Sequence, residues 1–118
     1  GLRSRAAIEA REEAGVEIAP EACVMLGGET FASPGTTDEK LYFCAVETPL
    51  ADRGEALGDG TVMEEWSRVH LVSLGEAIAM CRDGRVPDMK TEVALLRLAD
   101  HLGYVPALDA FVEDLPAR

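Results

Sequence analysis

The sequence predicts a mixed α and β fold of the α+β class, and three observations predict it. A run of helix formers rich in Ala, Glu and Arg fills residues Leu2 to Ala14 and stops at Gly15. Two strand-like stretches, "ACVMLGGETFA" (22–32) and "KLYFCAVET" (40–48), enclose the turn residues "SPGTTDE" (33–39). Two helical patterns then close the chain, at 74–84 and 88–104.

Each element has its own reason. Gly15 suits the left-handed cap that ends a helix. The stretch 22–48 reads as an antiparallel hairpin whose first strand is interrupted at Gly27-Gly28 by a bulge or a bend, with Pro34-Gly35 at the core of its turn. Residues 49–61 hold Asp52, Glu55 and Asp59 among three glycines without apolar period, which predicts a mobile acidic loop. "EWSRVHLVS" (65–73) alternates apolar and polar residues and predicts a third strand. "LGEAIAMCRDG" (74–84) is a short helix closed by glycine. For 88–104, Asp88 after Pro87 is the expected cap, and Val93, Leu95, Leu96, Leu98, Ala99 and Leu102 form the core-facing stripe. The tail from Val105 is expected to lie on the surface or fray.

The chain has 118 residues, one domain at most, and an apolar fraction of 47% that is ordinary for a globular protein. No apolar run approaches the roughly 20 residues that span a bilayer, and no signal peptide is visible. The net charge of −11 argues against nucleic acid as a partner. Cys23, Cys44 and Cys81 are widely spaced, without a CxxC pair or a nearby histidine. They predict free thiols in a reducing compartment, the cytoplasm, and no zinc site. His70 and His101 have no ligand-like spacing. The chain opens at Gly1 without an initiator Met, as a cut boundary, a proteolytic product or one half of something larger would.

Chemistry is concentrated in "RAAIEAREEAGVEI" (5–18). At ~100° per residue, Glu9, Glu12 and Glu13 share an arc of about 100° on the helix. Glu9 and Glu13 stand one turn apart, and like charges at that spacing destabilise a bare helix. A cation or basic residues should compensate. Leu2, Ala6, Ala7, Ala10 and Ala14 make the apolar face, yet Glu13 intrudes on its edge and Ile8 falls on the polar side. Taken alone, three glutamates on a surface helix are commonplace; broken patterning of this kind also marks functional sites.

The run Glu9-Ala10-Arg11-Glu12-Glu13-Ala14-Gly15-Val16 resembles the second half of the Nudix box, G-x5-E-x7-R-E-U-x-E-E-x-G-U, with U aliphatic. Glu9 matches the glutamate after the motif's arginine, Glu12 and Glu13 the paired glutamates, and Gly15 and Val16 the closing positions. Ile8 stands where the motif has arginine, and Arg5, between Glu9 and Glu12 on the helix, is expected to orient the carboxylates in its place. The motif's first glutamate and first glycine would precede Gly1. Beyond the box, the order of the S-P-G turn, the acidic loop, "EEWSRVHLVSLGEAIAMCRDGRV" and "DMKTEVALLRL" is similar to Nudix hydrolases acting on ADP-ribose and nucleoside-diphosphate sugars.

The resemblance implies an α/β/α sandwich with a mixed sheet, incomplete at the N-terminus, so that residues 1–118 are the C-terminal portion of such a domain. It implies magnesium, or manganese in its place, and hydrolysis of a pyrophosphate bond in a small nucleoside diphosphate derivative. Glu9 and Glu13 are then metal ligands, with Glu12 a further ligand or the partner of a basic residue. Glu64 or Glu65 is the base for water. Ser33, Gly35 and Glu39 contact substrate or form part of a pocket shared in a dimer. Trp66 either stacks on a base or packs in the core, the commoner role for a lone tryptophan. The expected partner is a second copy or the missing N-terminal half, because lost strands leave sheet edges unpaired. Two other readings are a catalytically silent fragment and an acidic interaction module that keeps part of the fold.

Overall fold

The computed structural model describes residues 1–15, 17–36, 39–49 and 70–117. Among them the fold is α+β: three helices, α1 (Leu2–Ala14), α2 (Leu74–Arg82) and α3 (Met89–Leu102), and six two-residue strands. The strands are β1 (Val24–Met25), β2 (Thr30–Phe31), β3 (Lys40–Leu41), β4 (Cys44–Ala45), β5 (Tyr104–Val105) and β6 (Ala110–Phe111). They pair only as antiparallel ladders, β1 with β4, β2 with β3 and β5 with β6. The chain divides into two compact units, Gly1–Met25 with Cys44–Leu71, and Leu26–Phe43 with Val72–Arg118.

In the first unit, α1 ends at Gly15, whose φ of 68° lets its N–H reach back to the carbonyls of Ala10 and Arg11. No described α1 side chain is fully buried. Ala6, Ala7 and Ala10 are half-buried, whereas Leu2 and Ile8 are 45% and 52% exposed. The apolar face is therefore narrower than its sequence pattern, because small alanines hold the helix against the 3-10 turn Pro20–Ala22. Across the ladder Val24 faces Ala45 and Met25 faces Cys44. Cys23 is buried.

In the second unit the hairpin changes register. The Leu26 N–H donates to the Phe43 carbonyl at 2.8 Å, and Thr30 faces Leu41. Between these rungs one strand carries residues 27–29 and the other only residue 42, so two extra residues are looped in at Gly27-Gly28. Gly27 sits at φ 78°, a conformation that a side chain resists. Arg97 of α3 fastens this bulge. One guanidinium nitrogen donates to the carbonyls of Leu26 (2.9 Å) and Gly28 (2.7 Å), and the guanidinium lies 5.2 Å from the centre of the Phe43 ring.

The helices of this unit are capped as their sequences dictate. Ser73 accepts from the N–H of Glu76 at the start of α2. Asp88 accepts from the Lys90 N–H and the Thr91 hydroxyl at the start of α3. Both helices are shorter than the sequence stretches that predict them. α2 stops at Arg82, because the Asp83 carboxylate accepts from the Arg85 backbone N–H and Gly84 turns left-handed at φ 87°. α3 stops at Leu102 because Gly103 turns left-handed at φ 74°. Leu102, at the end of the predicted stripe, is 50% exposed.

Two expectations are corrected in part. Residues 70–73 form no strand, because Ser73 is already the cap of α2; the rest of the predicted strand 65–73, and of the acidic loop beyond Pro49, lies outside the described residues. The tail does not fray; it lies on the surface, with residues 106–109 and 112–117 exposed, and it is held there by a ladder. Tyr104 and Val105 pair with Phe111 and Ala110, and the Tyr104 ring packs on Phe111 at 5.2 Å, tilted by 59°. Ile78, Ala99 and Tyr104 form the buried core of the unit, with Leu74, Leu95, Leu96 and Phe111 against it. No helix among the described residues is long and apolar enough to cross a membrane.

Candidate functional site

The carboxylates singled out by the sequence are presented by α1. Glu9 and Glu13 line one depression of about 240 Å³ in the first unit, together with Ala6, Ala10, Ile18, Cys23, Cys44, Ala45 and Val46. The 3.6-residue repeat brings the two glutamates over the same ground, and the small Ala6 and Ala10 leave the space between helix and ladder open. Glu12 is exposed and does not line the depression. Among the described residues no ion pair joins Arg5 to a glutamate of α1, and no three carboxylate, thiolate or imidazole donors converge as a closed metal cage.

Two carboxylates are nonetheless a sensible donor set for magnesium. That ion keeps several waters and takes one or two carboxylates together with a substrate's phosphates, whereas an all-protein cage suits calcium. The hard oxygens of Glu9 and Glu13 fit it. The two thiols that complete the lining do not compete, because magnesium has little affinity for sulfur.

The thiols are what sequence reasoning missed. Partial burial pushes the Cys44 thiol above its usual range, and the neighbouring Cys23 sulfur and Glu9 carboxylate push it further. Cys44 reaches the depression because Met25 faces it across the ladder, which places Cys23, two residues before Met25, on the same side of the strands. The alternation of the strands carries that signal, but only once the pairing register is known. Cys23 and Cys81 are buried, Cys44 is exposed, and all three are free thiols.

Ser33, Gly35 and Glu39 belong to the second unit. Ser33 to Thr36 is a β-turn closed by the Thr36 N–H donating to the Ser33 carbonyl at 3.1 Å. Pro34 takes the position where its fixed φ fits such a turn. The Ser33 and Thr36 hydroxyls lie 2.5 Å apart, and residues 31–36 are all exposed. Glu39, also exposed, leads into β3. Near the turn, Tyr42 donates to Glu29 at 2.8 Å and Lys40 pairs with the same carboxylate at 3.6 Å. Glu64, Glu65 and Trp66 lie outside the described residues.

Chemically, the first unit offers two adjacent anionic oxygen donors at the edge of a shallow depression, and the second an exposed turn with two hydroxyls. Compared with family models, curated proteins and solved structures, the chain matches none of them.

Proposed function

We propose that the intact protein hydrolyses the pyrophosphate bond of an ADP-ribose-like or nucleoside-diphosphate-sugar substrate, with magnesium, on a Nudix-type sandwich. The observation that carries this reading is the placement of Glu9 and Glu13 in one depression, one helical turn apart. The order of the half-box, the S-P-G turn and the two C-terminal helices supports it from the sequence side.

In this reading Glu9 and Glu13 hold the cation, and Glu12 serves as a further ligand or as the partner of a basic group. Magnesium, or manganese in its place, supplies neutralisation of phosphate charge and activation of water. Glu64 or Glu65 takes the proton of that water. Ser33, Gly35 and Glu39 contact the substrate or form part of a pocket shared in a dimer, and a homodimer or the N-terminal portion completes the protein. A cytoplasmic protein with free thiols fits the same picture.

Turnover of ADP-ribose, ADP-glucose, GDP-mannose and UDP-glucose with magnesium, measured as release of phosphomonoester products, tests the reading. Hydrolysis of one of them that disappears in Glu13→Gln is the expected result; no hydrolysis of any sinks it. A second reading, an interaction module without catalysis, draws on Ile8, exposed at the position of the motif's arginine, and on Arg5, which has no ion pair with the glutamates. Magnesium binding by calorimetry without turnover of any substrate favours it.

A further inference from the structure

The bulge at Gly27-Gly28 is unusual in its parity. A one-residue slip between paired strands turns every side chain to the other face, whereas a slip of two leaves each on its own face. The two looped-in residues therefore separate two registers that the apolar pattern of the hairpin does not distinguish. In the register observed, Thr30 faces Leu41 and Phe31 faces Lys40. If the bulge were absorbed into the ladder below it, the spacing set by Leu26 and Phe43 would continue and Thr30 would face Glu39. In that register Ser33 would face Thr36, so the 33–36 turn would close the ladder directly instead of standing inside the longer connection between Phe31 and Lys40.

What holds the observed register is a contact from outside the hairpin. The Leu26 and Gly28 carbonyls flank the extra residues, and both accept from the same nitrogen of Arg97. One nitrogen at 2.9 and 2.7 Å from the two oxygens holds them closer together than the roughly 6.5 Å between alternate carbonyls of an extended strand, so the contact fits a looped chain better than a straight one. The fit is close: a Cβ added at Gly27 would stand 3.1 Å from that nitrogen. Phe43, the rung partner of Leu26, lies beneath the guanidinium, so the clamp grips both strands.

We infer that Arg97 is a positioning residue that selects between two hairpin registers and thereby fixes where the Ser33–Thr36 turn stands on its strands. The inference goes beyond the proposed function and holds whether or not that turn binds a substrate.

Cross-strand nuclear Overhauser effects in the isotope-labelled chain test it. The unaltered chain gives contacts between residues 30 and 41. In Arg97→Met these weaken and contacts between residues 30 and 39 appear. Deleting Gly27 and Gly28 together removes the choice, because Thr30 then faces Leu41 in a continuous ladder; in that background Arg97→Met leaves the 30–41 contacts unchanged. Retention of the 30–41 contacts alone in Arg97→Met overturns the proposal. Should that variant fail to fold, the deletion background decides. Folding of Arg97→Met there supports the clamp, and unfolding in both backgrounds shows that the arginine acts on something other than the register and overturns it.

Discussion

The Tyr104 hydroxyl donates to the Asp109 carboxylate at 2.6 Å, joining the first strand of the C-terminal hairpin to its own loop. That bond, together with partial burial and the nearby negative charge, holds the phenol above its usual value. Asp109 adopts φ 48°, a left-handed conformation that aspartate tolerates better than most residues. The other tyrosine, Tyr42, is raised for the same first cause, its hydrogen bond to Glu29.

Neither tyrosine should therefore ionise in its ordinary range in the folded chain. A folded value above the unfolded one means that the neutral phenol is the favoured form. Its contribution is complete below the unfolded value and is lost as pH rises through the folded one. Asp109→Asn removes the carboxylate and should bring the Tyr104 titration down, while Tyr42 stays where it was. An ultraviolet titration of tyrosinate formation checks both.

Gly75 lies against the same hydroxyl. A methyl group there would sit 2.5 Å from the Tyr104 oxygen and 3.0 Å from Asp109 Oδ1. Gly75→Ala should cost about 1–3 kcal/mol, the range for overpacking a tight site. The gain that alanine normally gives a helix works in the opposite direction and is smaller. Pairing it with Tyr104→Phe should recover part of the loss, as urea denaturation would reveal.

For Arg97, truncation to methionine deletes two charge-assisted hydrogen bonds to carbonyls and a contact with an aromatic face. A loss of about 2 kcal/mol in thermal or chemical unfolding is expected. Lysine at this position should recover only part of it, because its ammonium is more strongly hydrated and lacks the planar face that a guanidinium lays on the Phe43 ring.

Glu13→Gln should act in opposite directions on stability and on binding. With chelator present it relieves the repulsion with Glu9 and stabilises α1 by about 0.3 kcal/mol. With magnesium or manganese it should weaken binding by at least about tenfold, the least expected for a direct ligand when outer partners already reach that figure. Circular dichroism and calorimetry on one pair of proteins read both effects. Equal metal affinity in the two would remove Glu13 from the site.

Asp88 makes α3 sensitive to acid. Its carboxyl is held low, first by the Thr91 hydroxyl, then by the Lys90 N–H, with the Lys90 charge a smaller aid. The lowered value means that the cap contributes above the unfolded carboxyl range and is lost as pH falls through the folded value. Asp88→Asn should flatten that part of the acid unfolding curve.

The helices were legible where their ends are written locally, in Gly15, Gly84 and Asp88; the cap at Ser73 was not, because the alternation of 65–73 reads as a strand, nor was the stop at Gly103, because the apolar stripe runs up to it. The hairpin between 22 and 48 was legible from its turn residues and from the glycine pair. The ladder of Tyr104 and Val105 with Ala110 and Phe111 was not. Two-residue strands are too short to show a period, and Pro106 beside a left-handed Asp109 reads as a chain that has stopped folding. In the candidate site, the pairing of Glu9 with Glu13 follows from helix geometry alone. The wall opposite them follows from the register of β1 against β4, which the residues themselves do not state.

The distribution of the thiols has a practical use. Of three cysteines only Cys44 meets solvent, and it shares the depression with Glu9 and Glu13. A small fluorinated tag would enter at one place without engineering, and because the Cys44 thiol is held above its usual range the coupling should run at a pH above that at which free thiols react. Manganese bound by the two glutamates would broaden that tag's resonance, giving a spectroscopic ruler for the cation that needs neither substrate nor turnover.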